Sequence, residues 1–219
     1  MQIQYFGLSS FKISTKEATV ITDPFHKDSG LTAPRGAADI LILADKNDKK
    51  YSAISGISGT PFLMDTPGEY DLKGVTVAGI PLKQEEKNVS VFLIESEDIR
   101  VLNLTHIKDW NMKEEEIEAL GEIDILILPV GGNTVLSASQ ASKVVNEIEP
   151  KIVIPSHYKM SARGGSASGG KETLIFDLDA VEKFIKEMGG KTETMEKLTV
   201  KKKDLLEEGT KVIILEPLR

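Results

Sequence analysis

The amino-acid sequence predicts an α+β or four-layer sandwich fold rather than a doubly wound one. Three observations carry this expectation: the N-terminal half reads as short strands punctuated by glycine, the C-terminal half alternates helical with strand patterns, and no linker divides the two. With 219 residues, 40% hydrophobic and 28% charged, the chain is long enough for one ordinary core, so a single domain over residues 1–219 is expected.

The strand readings run in order through Ile3 to Phe6, Phe11 to Ile13, Thr19 to Thr22 and Ile40 to Leu43, then a meander through Gly68, Gly74 and Gly79. Val89 to Glu95 and Ile99 to Leu104, separated by Ser96-Glu97-Asp98, predict a hairpin. Both of its strands are apolar at consecutive positions, which requires cover on both faces of the sheet. Asn111 with Glu114 three residues on signals a helix start, and Ser137 with Gln140 repeats that spacing. Ala141, Val144, Val145 and Ile148 then fall on one helical face, and Val181, Phe184, Ile185 and Met188 on another that ends at Gly189-Gly190. Between and after these helices lie the apolar strands Ile123 to Leu128, Ile152 to Ile154 and Val212 to Leu215. Ser161 to Gly170 reads as a Gly/Ser loop within the domain.

Composition narrows the function classes. The 27 basic and 34 acidic side chains leave a formal charge of −7, with no Lys/Arg stripe interleaved with aromatics, so nucleic acid is not an expected partner. The absence of cysteine excludes disulfides and thiolate metal sites. The opening residues lack a signal-peptide pattern, and no apolar run approaches the roughly 20 residues of a membrane span. The expectation is a soluble cytoplasmic protein with no membrane partner.

Several segments in order resemble the metallo-β-lactamase superfamily, in particular its small metal-dependent hydrolases similar to L-ascorbate-6-phosphate lactonase. The resemblance rests on QYFGLSSFKI with TVITDPF, ADILILADKNDKK, DTPGEYDLKGVTVAGIP, VLNLTH, EIDILILPVGG and EPKIVIPSHYK, and so covers most of the chain. It implies an αββα sandwich and two clusters of ligands for divalent ions that activate a bridging water. The family's HxHxDH motif falls here on Ala44-Asp45-Lys46-Asn47-Asp48-Lys49. Ala44 offers no donor atom, and Lys46 and Lys49 are ammonium groups, so of the motif's four ligand positions Asp48 alone matches. The next ligand position is held by Asn103, the bridging carboxylate position by His106, and the last histidine position by His157.

The resemblance therefore implies that a conventional dinuclear centre is lost and that Asp48, His106 and His157 remain near one another. Two readings follow. In the first, Lys46 and Lys49 pair with Asp48 where metal charge once stood, and the pocket, with Lys46, Lys49 and Asn103 as candidate lining residues, belongs to a non-catalytic or ligand-binding relative that holds no metal. In the second, one zinc or manganese ion on Asp48, His106 and His157 serves an altered hydrolase acting on a small anionic ester, lactone or phosphate. Either reading expects a small anionic molecule as partner, and the resemblance together with edge strands allows a homo-oligomer.

Other residues carry two readings each. His26 is a replacement ligand or a solvated loop histidine, and Asp23 a carboxylate orienting a ligand or a cap for the following turn. His157 itself is a ligand or a satisfied core histidine. The stretch from Gly165 to Lys171 approaches a phosphate-cradling loop, but Glu172 stands where that motif needs a hydroxyl, so it reads as an ordinary loop. Trp110 reads as a core or interface residue.

Overall fold

Side chains on successive strand residues point to opposite faces, and in this chain that alternation divides the apolar residues between two cores. In the computed structural model, which describes residues 1–85, 88–160, 177–205 and 209–218, Val20, Ile40 and Ile42 join the larger core while Ile21 and Leu41, their neighbours in sequence, join the smaller. The Gly/Ser stretch Ser161 to Gly170 and the overlapping Gly165 to Lys171 motif lie outside the described residues.

The larger core is shared by two sheets. Among the described residues, one sheet has six strands in the order Lys197–Thr199, Gln2–Gly7, Ser10–Ser14, Thr19–Thr22, Ile40–Ile42 and Phe62–Met64. The other has eight, in the order Glu193–Met195, Lys211–Leu215, Ile152–Ser156, Ile125–Pro129, Ile99–Asn103, Asn88–Ser96, Val75–Lys83 and Gly68–Leu72. Ile3, Ile13 and Ile42 from the first sheet and Val91, Leu102, Ile127 and Val153 from the second belong to one buried cluster. The smaller core lies on the other face of the six-stranded sheet, where Phe25, Ala38 and Tyr51 cover Phe6, Ile21 and Leu41. Short 3-10 turns at Lys27–Ser29 and Ile54–Gly56 and a two-stranded pairing of Gly36–Ala37 with Ile57–Ser58 lie in the segment that supplies that cover. This mixed architecture of several sheets and few helices accords with the α+β expectation.

The hairpin forms where the apolar runs placed it, with Phe92 opposite Asn103 and Ser96 opposite Ile99. Helix α2, Ala138–Ile148, starts with the predicted box: Gln140 Oε1 accepts from the Ser137 backbone N–H at 3.0 Å, and Ser137 Oγ accepts from the Gln140 N–H at 3.3 Å. Its buried face is Ala138, Ala141, Val144 and Val145. Helix α1, Glu114–Leu120, begins two residues later than Asn111 and Glu114 suggest. Glu116 takes the Lys113 backbone N–H at 2.7 Å, and the Asn111 amide instead donates to the Lys83 carbonyl at 2.7 Å. Helix α3, Val181–Glu187, buries Phe184 and contacts α2. No helix among the described residues is long and apolar enough to cross a membrane.

Strand direction sets where chemistry can gather. Ile99–Asn103, Ile125–Pro129 and Ile152–Ser156 run parallel, as do Thr19–Thr22 and Ile40–Ile42. The loops leaving their C-terminal ends therefore open along one edge, and they carry Asp23, Ala44, His106, Gly131 and His157.

Candidate functional site

Three of these loops converge, and each is held by its own backbone chemistry. His157 directly follows its strand in the left-handed region, φ 50°. That conformation is fixed by its N–H, which donates to the Leu8 carbonyl at 2.9 Å and lies 3.2 Å from the Tyr5 hydroxyl. Gly131 on the neighbouring loop makes this approach possible, because a Cβ there would stand 2.1 Å from the His157 carbonyl oxygen. The second loop turns at Thr105, φ 52°, where Asn103 Oδ1 accepts the Thr105 N–H at 2.9 Å and so presents His106. The third loop, residues 45–51, is closed by two carboxylates acting on the chain just ahead of them. Asp45 Oδ1 accepts from the Asn47 N–H at 2.9 Å, and Asp48 Oδ1 accepts from the Lys50 N–H at 3.0 Å.

That third loop delivers Tyr51, which is 5% exposed, between the two histidines. Its ring stacks on His106 with centroids 4.7 Å apart and planes 19° apart, and its hydroxyl is hydrogen-bonded to His157 Nε2 at 3.0 Å. The two imidazole centroids are 6.4 Å apart. Burial pushes the Tyr51 phenol well above its usual range, helped by the nearby Asp48 and Asp23 carboxylates. His157 is pushed down to about 3, by burial first and then by His106 and the Lys50 ammonium, so it is neutral at physiological pH.

Above this trio opens a cavity of about 390 Å³, lined by Asp48, Lys50, Tyr51, His106 and His157. Gln84, Glu85, Lys108 and Asp109 form another part of its wall. Gln84 fixes that part: its Oε1 accepts from the Lys108 and Asp109 backbone N–H groups, both at 2.9 Å, and its Nε2 donates to the Asp109 carbonyl at 3.0 Å.

The residues singled out from the sequence are distributed unevenly around this cavity. Asp48, His106 and His157 all line it. Lys46 does not meet Asp48; its ammonium pairs with Asp65 at 3.1 Å from a half-exposed position. Lys49 is exposed and is not among the lining residues. Asn103 is fully buried beneath the cavity, where its amide oxygen serves the Thr105 turn. The expected pairing of Lys46 and Lys49 with Asp48 is thus replaced by an arrangement in which Lys50, one residue on, faces the cavity. The physical reason is the loop itself, whose turns at Asp45 and Asp48 leave Lys46 and Lys49 exposed. His26 also lies elsewhere, half-exposed and paired with Asp28 at 2.8 Å.

Asp23 is fully buried, and its Oδ1 accepts from the Ala44 N–H at 2.8 Å, bracing the entry to the third loop rather than a ligand or the following turn. Its Oδ2 has no hydrogen-bond partner among the described residues. Burial, with smaller contributions from Asp48 and Asp45, pushes its carboxyl up to about 8 against the pull of the Ala44 N–H.

The donor set does not fit the dinuclear centre that the family resemblance implies. Among the described residues no group of three or more His, Asp or Glu side chains is placed to hold a metal ion. The reasons are local: Asp48 Oδ1 is engaged by its own turn, and the Tyr51 hydroxyl occupies the approach to His157 Nε2. Sequence reasoning missed Lys50, Gln84, Lys108 and Asp109 in the wall, and above all Tyr51 at the base. Its signal was an aromatic closing an otherwise polar run, Asp45 to Lys50, immediately past the degenerate motif.

Comparison with known proteins agrees with this picture of the fold. The β-lactamase superfamily domain family matches residues 2–157. The chain is 25% identical over 195 residues to a UPF0173 protein of Pyrococcus abyssi, covering 80% of this chain and 90% of that one. It is 27% identical over 198 residues to a UPF0173 metal-dependent hydrolase of Lysinibacillus sphaericus, covering 72% and 85%. Among solved structures, a Zn-dependent hydrolase of the metallo-β-lactamase superfamily from Thermotoga maritima superposes with a TM-score of 0.77 at 27% identity, over 98% of both chains. A metallo hydrolase from Ignicoccus hospitalis shares the fold at 14% identity, with a TM-score of 0.65 over 100% of this chain and 96% of that one. The chain has the metallo-β-lactamase fold and belongs to the β-lactamase superfamily, alongside the UPF0173 metal-dependent hydrolases.

Proposed function

We propose that this chain is a non-catalytic member of its hydrolase family, whose pocket binds a small molecule bearing an anionic group and works without a dinuclear metal centre. The observation that carries this reading is the 3.0 Å hydrogen bond between the Tyr51 hydroxyl and His157 Nε2, which engages the atom a metal would need. Lys50 and Lys108, the latter paired with Glu85 at 3.4 Å, line the cavity and place cationic groups there without a Lewis acid. Tyr51, His106 and His157 form a packed aromatic base, and Gln84 holds the wall that carries Lys108. Elemental analysis of protein purified without chelator and incubated with zinc or manganese tests the reading. Metal far below one equivalent is expected, and near-stoichiometric metal would contradict it.

A second reading rests on the fact that Asp48, His106 and His157 line one cavity and that the UPF0173 relative from Lysinibacillus sphaericus carries the name metal-dependent hydrolase. It makes the chain a mononuclear hydrolase of a small anionic ester, lactone or phosphate. Under it, Asp48→Ala and His157→Ala abolish metal binding together with turnover of lactone and phosphoester substrates; turnover that persists in either variant contradicts it.

A further inference from the structure

Strand Val75–Lys83 is apolar on both of its faces, but the structure covers only one of them fully. Val75 and Val77 are buried between the two sheets, on the side where a Cβ on Gly79 would meet Met64 and Phe92 at 3.2 Å. Because side chains alternate, Thr76, Ala78 and Ile80 face outward from the eight-stranded sheet, and all three are only half-buried. A strand with apolar residues on both faces needs cover on both.

The helix layer supplies that cover over part of the sheet. Helix α2 packs on Ile125–Pro129 and on α3, and α1 is anchored where its Leu120 carbonyl accepts from the Arg100 guanidinium. Beyond α1, toward the edge strand Gly68–Leu72, lies a groove of about 410 Å³. Its floor is Ala78 and Ile80 with Leu93, the cross-strand partner of Ala78. Met112, Ala119 and Leu120 line it from the α1 segment, and Glu69, paired with Ala78 from the edge strand, lines the other side. It shares no lining residue with the cavity of Tyr51 and His157.

The charge on this rim is acidic. Arg100, the one basic residue among the described lining, is engaged by Glu95 at 3.0 Å and by the Leu120 carbonyl. Glu69 and Glu116 remain, both exposed, and α1 carries Glu114, Glu115, Glu116 and Glu118 with no basic residue. Glu86 and Lys87, outside the described residues, carry one charge of each sign.

We propose that this groove docks an amphipathic helix of a protein partner, apolar where it meets Ala78, Ile80 and Leu93 and basic along its flanks. The occupant is helical because the gap lies in a helix layer, beside α1 and over a sheet face, where apolar anchors at i, i+3, i+4 and i+7 fit a groove. It is basic because Glu69 and Glu116 flank the groove from opposite sides. A second copy applying the same face would set these carboxylates against their own kind, which costs binding.

Three labelled peptides of about 14 residues, titrated against the full chain by fluorescence anisotropy, test this. One is a Leu/Lys peptide with leucines at helical spacing, one has the same composition in strict alternation, and one is a Leu/Glu peptide at helical spacing. The first is expected to bind about tenfold or more tighter than either other, and to gain helical circular dichroism when bound. Ala78→Arg, which puts a cation on the floor, is expected to weaken it about tenfold or more, and Glu69→Lys about threefold or more, with the protein's own circular dichroism unchanged. Equal binding of the alternating peptide would indicate strand addition at Gly68–Leu72 and overturns the proposal. So does equal binding of the Leu/Glu peptide, unaltered affinity in both variants, or no binding by any peptide. A concentration-dependent doubling of mass in sedimentation equilibrium, abolished by Ala78→Arg, would make the occupant a second copy and likewise overturns it.

Discussion

The Tyr51 hydroxyl and His157 Nε2 are hydrogen-bonded at 3.0 Å inside the edge where the two sheets open, with both residues buried. A tyrosine from the degenerate motif's loop thus stands against the histidine that the resemblance puts at the family's last ligand position. Tyr51→Phe removes one partner and leaves the imidazole nitrogen buried beside a ring carbon. Loss of about 1–3 kcal/mol is expected, read by urea denaturation at neutral pH. An unchanged midpoint would show that the hydrogen bond carries little of the site's rigidity.

Two buried titratable groups set the pH dependence of stability. Asp23 rises from 3.8 to about 8, so between those values the native state holds a proton that the unfolded chain has released, and stability falls as pH rises. His157 drops from 6.5 to about 3, so between those values the unfolded chain holds a proton that the native state lacks, and stability rises with pH. The two oppose each other from 3.8 to 6.5, which leaves Asp23 acting alone from 6.5 to about 8. Stability is therefore expected to decline over that upper window. Asp23→Asn, which can still accept the Ala44 N–H, flattens the decline; an identical slope in the variant would contradict the assignment.

Asp48 separates the structural account from a ligand role. Its Oδ1 takes the Lys50 N–H, a bond that an asparagine oxygen also makes. Asp48→Asn is expected to change stability by less than about 0.5 kcal/mol, whereas Asp48→Ala costs about 1 kcal/mol, as for loss of a local cap. Equal losses in thermal unfolding of both variants would argue that the carboxylate charge, not the turn, is what the fold needs.

The path of the chain at His157 depends on Gly131. A methyl group there would meet the His157 carbonyl at 2.1 Å, a backbone atom that cannot rotate away. Gly131→Ala is expected to destabilise by about 3 kcal/mol through this overpacking, measured by chemical denaturation. A loss below about 1 kcal/mol would mean that the two loops separate easily.

Much of the fold was legible because it follows from local pattern. The Ser137 and Gln140 box and the face of Ala141, Val144 and Val145 specify α2, and the consecutive apolar residues around Ser96 to Asp98 specify a covered hairpin. Asn111 misled because its amide is used across the chain, on the Lys83 carbonyl, leaving Glu116 to start α1. In the site, the placement of Asp48, His106 and His157 around one cavity was implied by the family resemblance rather than by any local pattern. The pairing of Lys46 with Asp65 and the turn role of Asn103 depend on loop geometry, which periodicity does not encode. Tyr51 shows the same limit: nothing in its spacing reveals that its ring would lie on His106.

The central claim, that Tyr51 and not a metal meets His157 Nε2, is tested most directly by zinc-edge anomalous diffraction from crystals grown with excess zinc. The account predicts no anomalous peak at coordinating distance from His157 Nε2, with the Tyr51 hydroxyl in place. A peak at about 2.0–2.1 Å from that nitrogen, with Tyr51 displaced, would contradict it.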